Sequence, residues 1–347
     1  MTAPLGAAME AEIGETARVA ADLIASVGDL APALRERLPD RLVGVATIAR
    51  GSSDFAAGYG RYLLEPALSV PVWSAAPSLV TRYGARPRLD GVLAIAVSQS
   101  GRTPEIVTVL ERSRAGGAVG VAITNDPGSP LAAAADVTIP LRAGPERAVP
   151  ATKTFTATLL AFALLAAELD ATGRSAVDGP AVVAALEAAL APPPPALAEL
   201  AGVLAGAEVA VHLGRGVLLP IAGETALKLI ETTSTAHLAW STVDVRHGPV
   251  ALAVPGRPVV VHHARGPVTA DAAEDVAALR ARGVDAWVVG DPLPGARATI
   301  PVPGDLPERL RPLVHAVRLQ QLALATARAR GVDPDAPPGL SKVTPTG

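Results

Sequence analysis

The chain contains no cysteine. It therefore has no disulfide, no thiolate ligand for zinc and no thiol nucleophile. Aromatic residues are only 3% of its 347 residues, too few for the stacking platform on which single-stranded nucleic acids bind. Positive charge is not in excess either. Thirty basic residues face 33 acidic ones, a net of −3, so nothing drives binding to a phosphate backbone. No nucleic-acid partner is expected. A stretch of about 20 apolar residues, the length of a membrane-spanning helix, is also missing. The most apolar run, 155–167, is shorter and is interrupted by Thr156 and Thr158. Near the start, Glu10, Glu12 and Glu15 precede the first basic residue, Arg18, the reverse of a secretory leader. A cytoplasmic protein without a membrane partner is the expectation.

What the chain does have is a large supply of small and aliphatic side chains: 50% of its residues are hydrophobic. Its length suits two domains. Apolar spacing over 9–38 predicts helices. Strand-like runs follow at 42–48, 70–73, 92–97, 119–124 and 137–141, separated by helical patterns such as 105–114. Short, continuously apolar strands alternating with helices indicate a parallel sheet covered on both faces. After Pro192–Pro195 the plan repeats, with strand-like runs at 209–213, 259–262, 286–289 and 298–302. VGVATIARGSS in the first half is echoed by AEVAVHLGRGV in the second, and DVTIPL by ATIPVP. Two α/β domains of similar topology are expected: a helical segment at 1–40, a first domain at 41–170, a linker at 171–200, a second domain at 201–335 and a tail at 336–347.

Ligands of open parallel sheets bind beyond the carboxyl ends of the strands. Three phrases stand there. Ser98-Gln-Ser-Gly-Arg-Thr-Pro-Glu105 follows a buried strand and opens a helix. Thr103 suits the N-cap, Pro104 the first helical position and Glu105 the first turn. Ser98, Gln99, Ser100 and Thr103 gather hydroxyls and an amide near backbone N–H groups, a cradle for a phosphate dianion. The spacing is not that of a Walker loop, and a polar capped turn is the plainer reading. Ala49-Arg-Gly-Ser-Ser-Asp54 sits at the equivalent edge. Glu224, Lys228 and Glu231 fall at i, i+4 and i+7 on one helix face, either a functional constellation or a solvated ion pair. His247, in Arg246-His-Gly-Pro249, lies at a turn, where imidazole titrates near neutral pH.

Only three of the 30 basic residues are lysine: Lys153, Lys228 and Lys342. Lysine can lose its proton when buried and then act as a nucleophile or base, which arginine cannot. A nicotinamide site is not indicated, because Leu219 stands where a third glycine should follow Gly214-Arg-Gly216. His262 and His263 are adjacent in a strand and point to opposite faces, so they form no metal pair.

ARGSSD, SQSGRTPE, AITNDPGSPLAAAAD, AGPERAVPATKTF, GRGVLLPIAGETALKLIETT, VRHGP and LSKVT together resemble the SIS (sugar isomerase) family. Within it, the likeness is to the isomerase half of glucosamine-6-phosphate synthase and to stand-alone amino-sugar-phosphate deaminases and isomerases. The resemblance implies an α/β fold of two tandem flavodoxin-like SIS domains, each a parallel sheet flanked by helices, and a homodimer with a shared active site. It implies a sugar phosphate whose phosphate is held by Ser53, Ser98, Gln99, Ser100 and Thr103, with Ser52, Val149 and Ala151 lining the sugar. It makes Glu231 the acid/base, Lys228 its charged assistant, His247 the ring-opening group delivered by a partner subunit, and Lys342 a lysine on a tail folded over the site. No cofactor and no metal are implied.

The sequence also departs from the family pattern. No glutaminase half with its cysteine nucleophile is present, so glutamine-dependent synthesis is not expected. The family's AEA phrase becomes Ala236-His-Leu-Ala239, Asp244 replaces a frequent Glu, and position 151 is Ala, as in many deaminases. The leading expectation is a metal-independent isomerase/deaminase that converts an amino-sugar 6-phosphate of the glucosamine 6-phosphate type to a ketose phosphate and ammonia. The alternatives are a dehydratase or lyase that eliminates from an N-acetylhexosamine 6-phosphate with the same base, and a non-catalytic sugar-phosphate sensor.

Overall fold

The computed structural model describes residues 4–26 and 30–342. The first sheet contains β1 (Gly44–Ile48), β2 (Val72–Ser74), β3 (Val92–Val97), β4 (Val119–Thr124) and β5 (Val137–Pro140). All its pairings are parallel, in the order β2-β1-β3-β4-β5. β1 and β3 are buried along their whole length. That is why they read as unbroken apolar runs rather than as an alternating pattern. The covering helices include α4 (Ser52–Leu68), α5 (Pro77–Thr81), α6 (Pro104–Ala115), α7 (Pro130–Ala134) and α8 (Lys153–Leu169). In α6 the apolar side chains Ile106, Val109 and Leu110 recur at helical spacing and are buried against the sheet core.

The second sheet contains β6 (Val209–Gly214), β7 (Ala236–Ser241), β8 (Val259–His263), β9 (Ala286–Gly290) and β10 (Ala298–Ile300). Read from β7, its order is β7-β6-β8-β9-β10, the order of the first sheet, again parallel throughout. Its helices include α10 (Pro195–Ala205), α11 (Leu219–Thr233), α12 (Thr269–Ala281) and α13 (Arg311–Arg330), with α10 and α11 packed on α13. β7 has no counterpart among the strands expected from sequence. It is an edge strand, half-exposed along most of its length, so its composition carries no apolar run.

The chain divides into two compact units. One holds Arg18–Glu146 and Lys153–Gly179; the other holds the residues up to Ala17, Arg147–Thr152 and Pro180–Lys342. The stretch 171–200, read from sequence as a linker, carries α9 (Gly179–Leu190) and the start of α10. The carbonyl of Ala189 accepts hydrogen bonds from Arg318 and Gln321 of α13, at 3.1 and 3.0 Å. The N-terminal helix α1 (Ala7–Gly14) belongs with the second sheet. Its first amides donate to carboxylates that follow α13: Gly6 to Asp333 at 2.9 Å, and Ala8 and Met9 to Asp335 at 2.7 and 2.8 Å. Helix α3 (Leu30–Arg37) instead contacts β5. Among the described residues no single helix is long and apolar enough to cross a membrane.

Candidate active site

In the first sheet the strand order reverses between β1 and β3, and the crevice beyond their carboxyl ends is the expected place for a ligand. The loop after β3 fills that place. Ser98 is buried, and Gln99, Ser100 and Thr103 are half-buried. Ser98 Oγ lies 3.4 Å from Thr103 Oγ1 and accepts the Gly101 N–H at 3.2 Å. Ser100 Oγ accepts the Arg102 N–H at 3.3 Å. The loop backbone is tied to β4 and α7, with Asn125 N–H donating to Gln99 O and Leu131 N–H to Gly101 O, both at 3.0 Å. Gly101 has φ +62°, and a Cβ there would stand 2.1 Å from Ser129 Oγ, so only glycine fits. Thr103 occupies the N-cap of α6 as expected, but its side chain makes no capping bond; it faces Ser98 instead.

The loop after β1 lies beside it. Ser52 and Ser53 open α4 and are half-buried. Arg50 Nε and Nη2 both stand 3.0 Å from Glu105 Oε2, which ties this loop to the first turn of α6. The structure therefore brings Ser52, Ser53, Ser98, Gln99, Ser100 and Thr103 to neighbouring loops at one sheet edge, as the sequence predicted. Hydroxyls and amides gathered at the start of two helices have the chemistry that suits an anion.

In the second unit the second cluster lies on α11. Glu224, Lys228 and Glu231 share a face, as the spacing required. They are not a solvated pair. The side chains of Glu224 and Lys228 are 0% and 1% exposed, and that of Glu231 is 22% exposed. The Lys228 ammonium lies 3.6 Å from Glu224 Oε1 and bonds Glu231 Oε2 directly. Charges this deep persist only when paired, and the ammonium serves both carboxylates. Glu231 is the member that reaches solvent. A carboxylate so held is suited to take and return a proton, with a cation beside it to balance negative charge developing on a reacting oxygen.

The remaining candidates are also in this unit. His247 is exposed at the end of the single turn Asp244–His247. The neighbouring Arg246 is fixed to Asp275 of α12, with Nε 2.9 Å from Oδ1. Val149 and Ala151 are half-buried in the segment Arg147–Thr152. Lys342 is half-buried and is the last described residue; the rest of the expected tail, 343–347, lies outside the described residues. Lys153, the third retained lysine, is fully buried at the start of α8 in the first unit.

Sequence reasoning missed a row of buried imidazoles. His237 of β7, His212 of β6, His262 of β8 and His315 of α13 follow one another in that order, with tilted rings whose centroids are 5.3, 6.0 and 6.5 Å apart. His212 Nε2 and His237 Nδ1 are 3.0 Å apart, and His237 Nε2 lies 3.0 Å from Thr235 Oγ1. Thr235 Oγ1 is in turn 2.6 Å from Thr233 Oγ1 at the end of α11. Burial pushes His237 down to about 4, with Arg330 adding to the effect, and His262 down to about 3. It holds His212 and His315 well below the usual range as well. Among the described residues no group of three or more His, Asp or Glu is arranged to hold a metal ion.

Comparison with known proteins supplies the family. Residues 44–168 match the model of the SIS domain. A solved structure from Silicibacter pomeroyi DSS-3, assigned as a phosphosugar isomerase, is 35% identical with a TM-score of 0.83, over 94% of this chain and 99% of that one. The glutamine–fructose-6-phosphate aminotransferase [isomerizing] of Zymomonas mobilis is 32% identical over 86% of this chain and 51% of its own length. This chain thus spans about half the length of the curated relatives it matches. The glucosamine-6-phosphate deaminase of Thermotoga maritima shares the fold, with a TM-score of 0.74 at 23% identity, over 98% of this chain and 100% of that one. With a relative of 35% identity matched over nearly all of both chains and the SIS-domain match over 44–168, the chain belongs to the SIS-domain family.

Proposed function

We propose that this protein is an isomerase/deaminase acting on an amino-sugar 6-phosphate of the glucosamine 6-phosphate type. The observation that carries the reading is the Lys228–Glu231 pair, a buried ammonium bonded to a carboxylate that reaches solvent. In the open-chain substrate, Glu231 removes the proton from C2 and returns it to C1. The C2–H bond breaks while O1 takes a proton from water, giving an enaminol; protonation at C1 then leaves an iminium at C2, which returns one proton to water to become the imine. Water adds to that imine and ammonia leaves, so an aldose amine phosphate and water give a ketose phosphate and ammonia. Lys228 balances the charge developing at the carbonyl oxygen. The hydroxyls of Ser53, Ser98, Ser100 and Thr103 and the amide of Gln99 anchor the phosphate. Ser52, Val149 and Ala151 line the sugar. His247 opens the ring and comes from the partner in a homodimer; its exposure on a surface turn suits that role. Lys342 closes over the site. The curated relatives carry fructose 6-phosphate in their name, which agrees with a hexose phosphate ligand.

The test is ammonia release from glucosamine 6-phosphate, with N-acetylglucosamine 6-phosphate followed by absorbance in parallel. Ammonia that disappears in Glu231→Gln supports the proposal. An ultraviolet chromophore from the acetylated sugar, without ammonia, replaces it with an elimination driven by the same base. Ligand-dependent stabilisation with no turnover of either sugar replaces it with a sensor.

A further inference from the structure

We propose that Glu12 and Gln320 are positioning residues that clamp the segment Arg147–Thr152 at its two ends and so set how Val149 and Ala151 meet the sugar. The inference rests on the reading of those two residues as sugar-lining. The segment belongs to no strand or helix, so no ladder fixes its backbone. Its hold comes from side chains far away in sequence. At one end, Arg147 N–H and Ala148 N–H both donate to Glu12 Oε1, the second at 3.3 Å. At the other end, Thr152 C=O accepts a hydrogen bond from Gln320 Nε2 at 3.0 Å. Glu12, Ala148, Thr152 and Gln320 are all buried.

Burial alternates along the segment. Ala148, Pro150 and Thr152 are buried, while Val149 and Ala151 keep part of their surface. The clamps therefore grip the backbone at Arg147, which is exposed, and at buried Ala148 and Thr152, and leave Val149 and Ala151 available. The clamp residues are themselves fixed. Glu12 sits on α1, whose amino end is bonded to Asp333 and Asp335, and Gln320 sits on α13. A buried amide needs an acceptor, and a carboxylate is a strong one. Losing it lets the segment move, which alters contact with the sugar, while the hydroxyls proposed to hold the phosphate are not part of the segment.

The experiment compares full-length wild type with Glu12→Ala, Glu12→Gln and Gln320→Leu. Hydrogen exchange is read at the Arg147 and Ala148 amides. Calorimetry measures binding of glucosamine 6-phosphate, fructose 6-phosphate and inorganic phosphate. Hydrogen bonds to a charged group are worth enough that Glu12→Ala is expected to speed exchange, and to weaken both hexose phosphates, by about tenfold or more. Inorganic phosphate should bind as before. Glu12→Gln keeps a neutral acceptor and restores most of the hexose affinity. Gln320→Leu weakens hexose phosphates without speeding exchange at 147–148.

A folded Glu12→Ala protein with wild-type exchange and wild-type hexose affinity overturns the clamp. Equal weakening of hexose and inorganic phosphate overturns it too. Where Glu12→Ala fails to fold, a folded Gln320→Leu protein with unchanged hexose affinity overturns it. A wild-type protein that binds neither hexose phosphate overturns the functional reading itself, and the positioning role falls with it.

Discussion

The loop after β3 makes a quantitative demand at Gly101. Its φ of +62° is left-handed, and a Cβ there would meet Ser129 Oγ at 2.1 Å, Ser129 Cβ at 2.5 Å and Thr124 Oγ1 at 2.9 Å. Ser129 cannot swing aside cheaply, because its hydroxyl caps α7 by accepting the Ala132 N–H at 3.3 Å. Gly101→Ala therefore incurs two costs: about 1–2 kcal/mol for the left-handed backbone and about 1–3 kcal/mol for overpacking. Gly84 isolates the first term, since its φ is +67° and nothing lies within 4 Å of a Cβ. Both glycines are in the first unit, so one unfolding transition reports on both. Urea unfolding should place Gly84→Ala about 1–2 kcal/mol below wild type and Gly101→Ala about 2–5 kcal/mol below. Ser129→Gly, which removes both of the nearest atoms, should recover part of the Gly101→Ala loss, whereas Ser129→Ala leaves the β-carbon in place and should not. Inorganic phosphate affinity should fall in Gly101→Ala and hold in Gly84→Ala. If the two alanine variants prove equally stable, the loop is not wedged against Ser129 and the reasoning fails.

Glu231→Gln should lower turnover by about 10²–10⁴-fold, the usual contribution of a general base, and should lower the unfolding midpoint of the second unit as well, because it takes a charged partner from the buried Lys228 ammonium; ammonia release and a urea titration check the two halves. Replacing Glu224, Lys228 and Glu231 together by Leu, Met and Leu should abolish turnover and leave the second unit at least as stable as wild type, because buried ion clusters seldom outperform apolar packing. Calorimetric unfolding that shows a large loss would mean the cluster is there for stability. The buried histidines set an acid limit. Their unfolded value is near 6.5, while His237 and His262 are pushed to about 4 and about 3 in the fold. Below pH 6.5 the unfolded chain takes up protons that the folded chain refuses, so stability falls as pH drops towards 4, by about 1.4 kcal/mol per ring per pH unit at most. Equal unfolding midpoints of the second unit at pH 7 and pH 5 would refute this.

Local pattern and distant packing were unequally legible in the sequence. β3 and β4 lie at 92–97 and 119–124, where their apolar runs put them, because strands buried on both faces read as near-continuous apolar runs. The shared face of Glu224, Lys228 and Glu231 followed from helical spacing alone. Its depth did not, since burial is set by the elements packed on α11, among them α13 from the far end of the chain. β7 escaped notice because an edge strand need be buried only in part, and its one deeply buried polar side chain, His237, has no apolar signature. The clamp on Arg147–Thr152 was out of reach for the same reason as the depth of Lys228. Glu12 and Gln320 are more than a hundred positions from the amides and carbonyl they bind.

The two sheets repeat one strand order, yet their switch points carry different chemistry. After β1 the chain supplies Ser52 and Ser53, and after β3 Ser98, Ser100 and Thr103. After β6 the matching position, Gly214-Arg-Gly216, leads into Val217 and Leu218, both buried, so no hydroxyl cradle forms there. Arg215 turns instead to Asp271, 2.6 Å away. The helices that follow diverge in the opposite sense. α4 buries Tyr59, Leu63 and Leu64, a purely structural face, whereas α11 buries Glu224 and Lys228. Taking an ion out of water costs several kcal/mol, which a helix serving only to cover a sheet would not carry when apolar side chains fit the same place, as α4 shows. The shared strand order thus carries a cluster of hydroxyls at the strand ends of one unit and a buried ammonium–carboxylate face in the other. The chemistry resides in those side chains rather than in the fold they share.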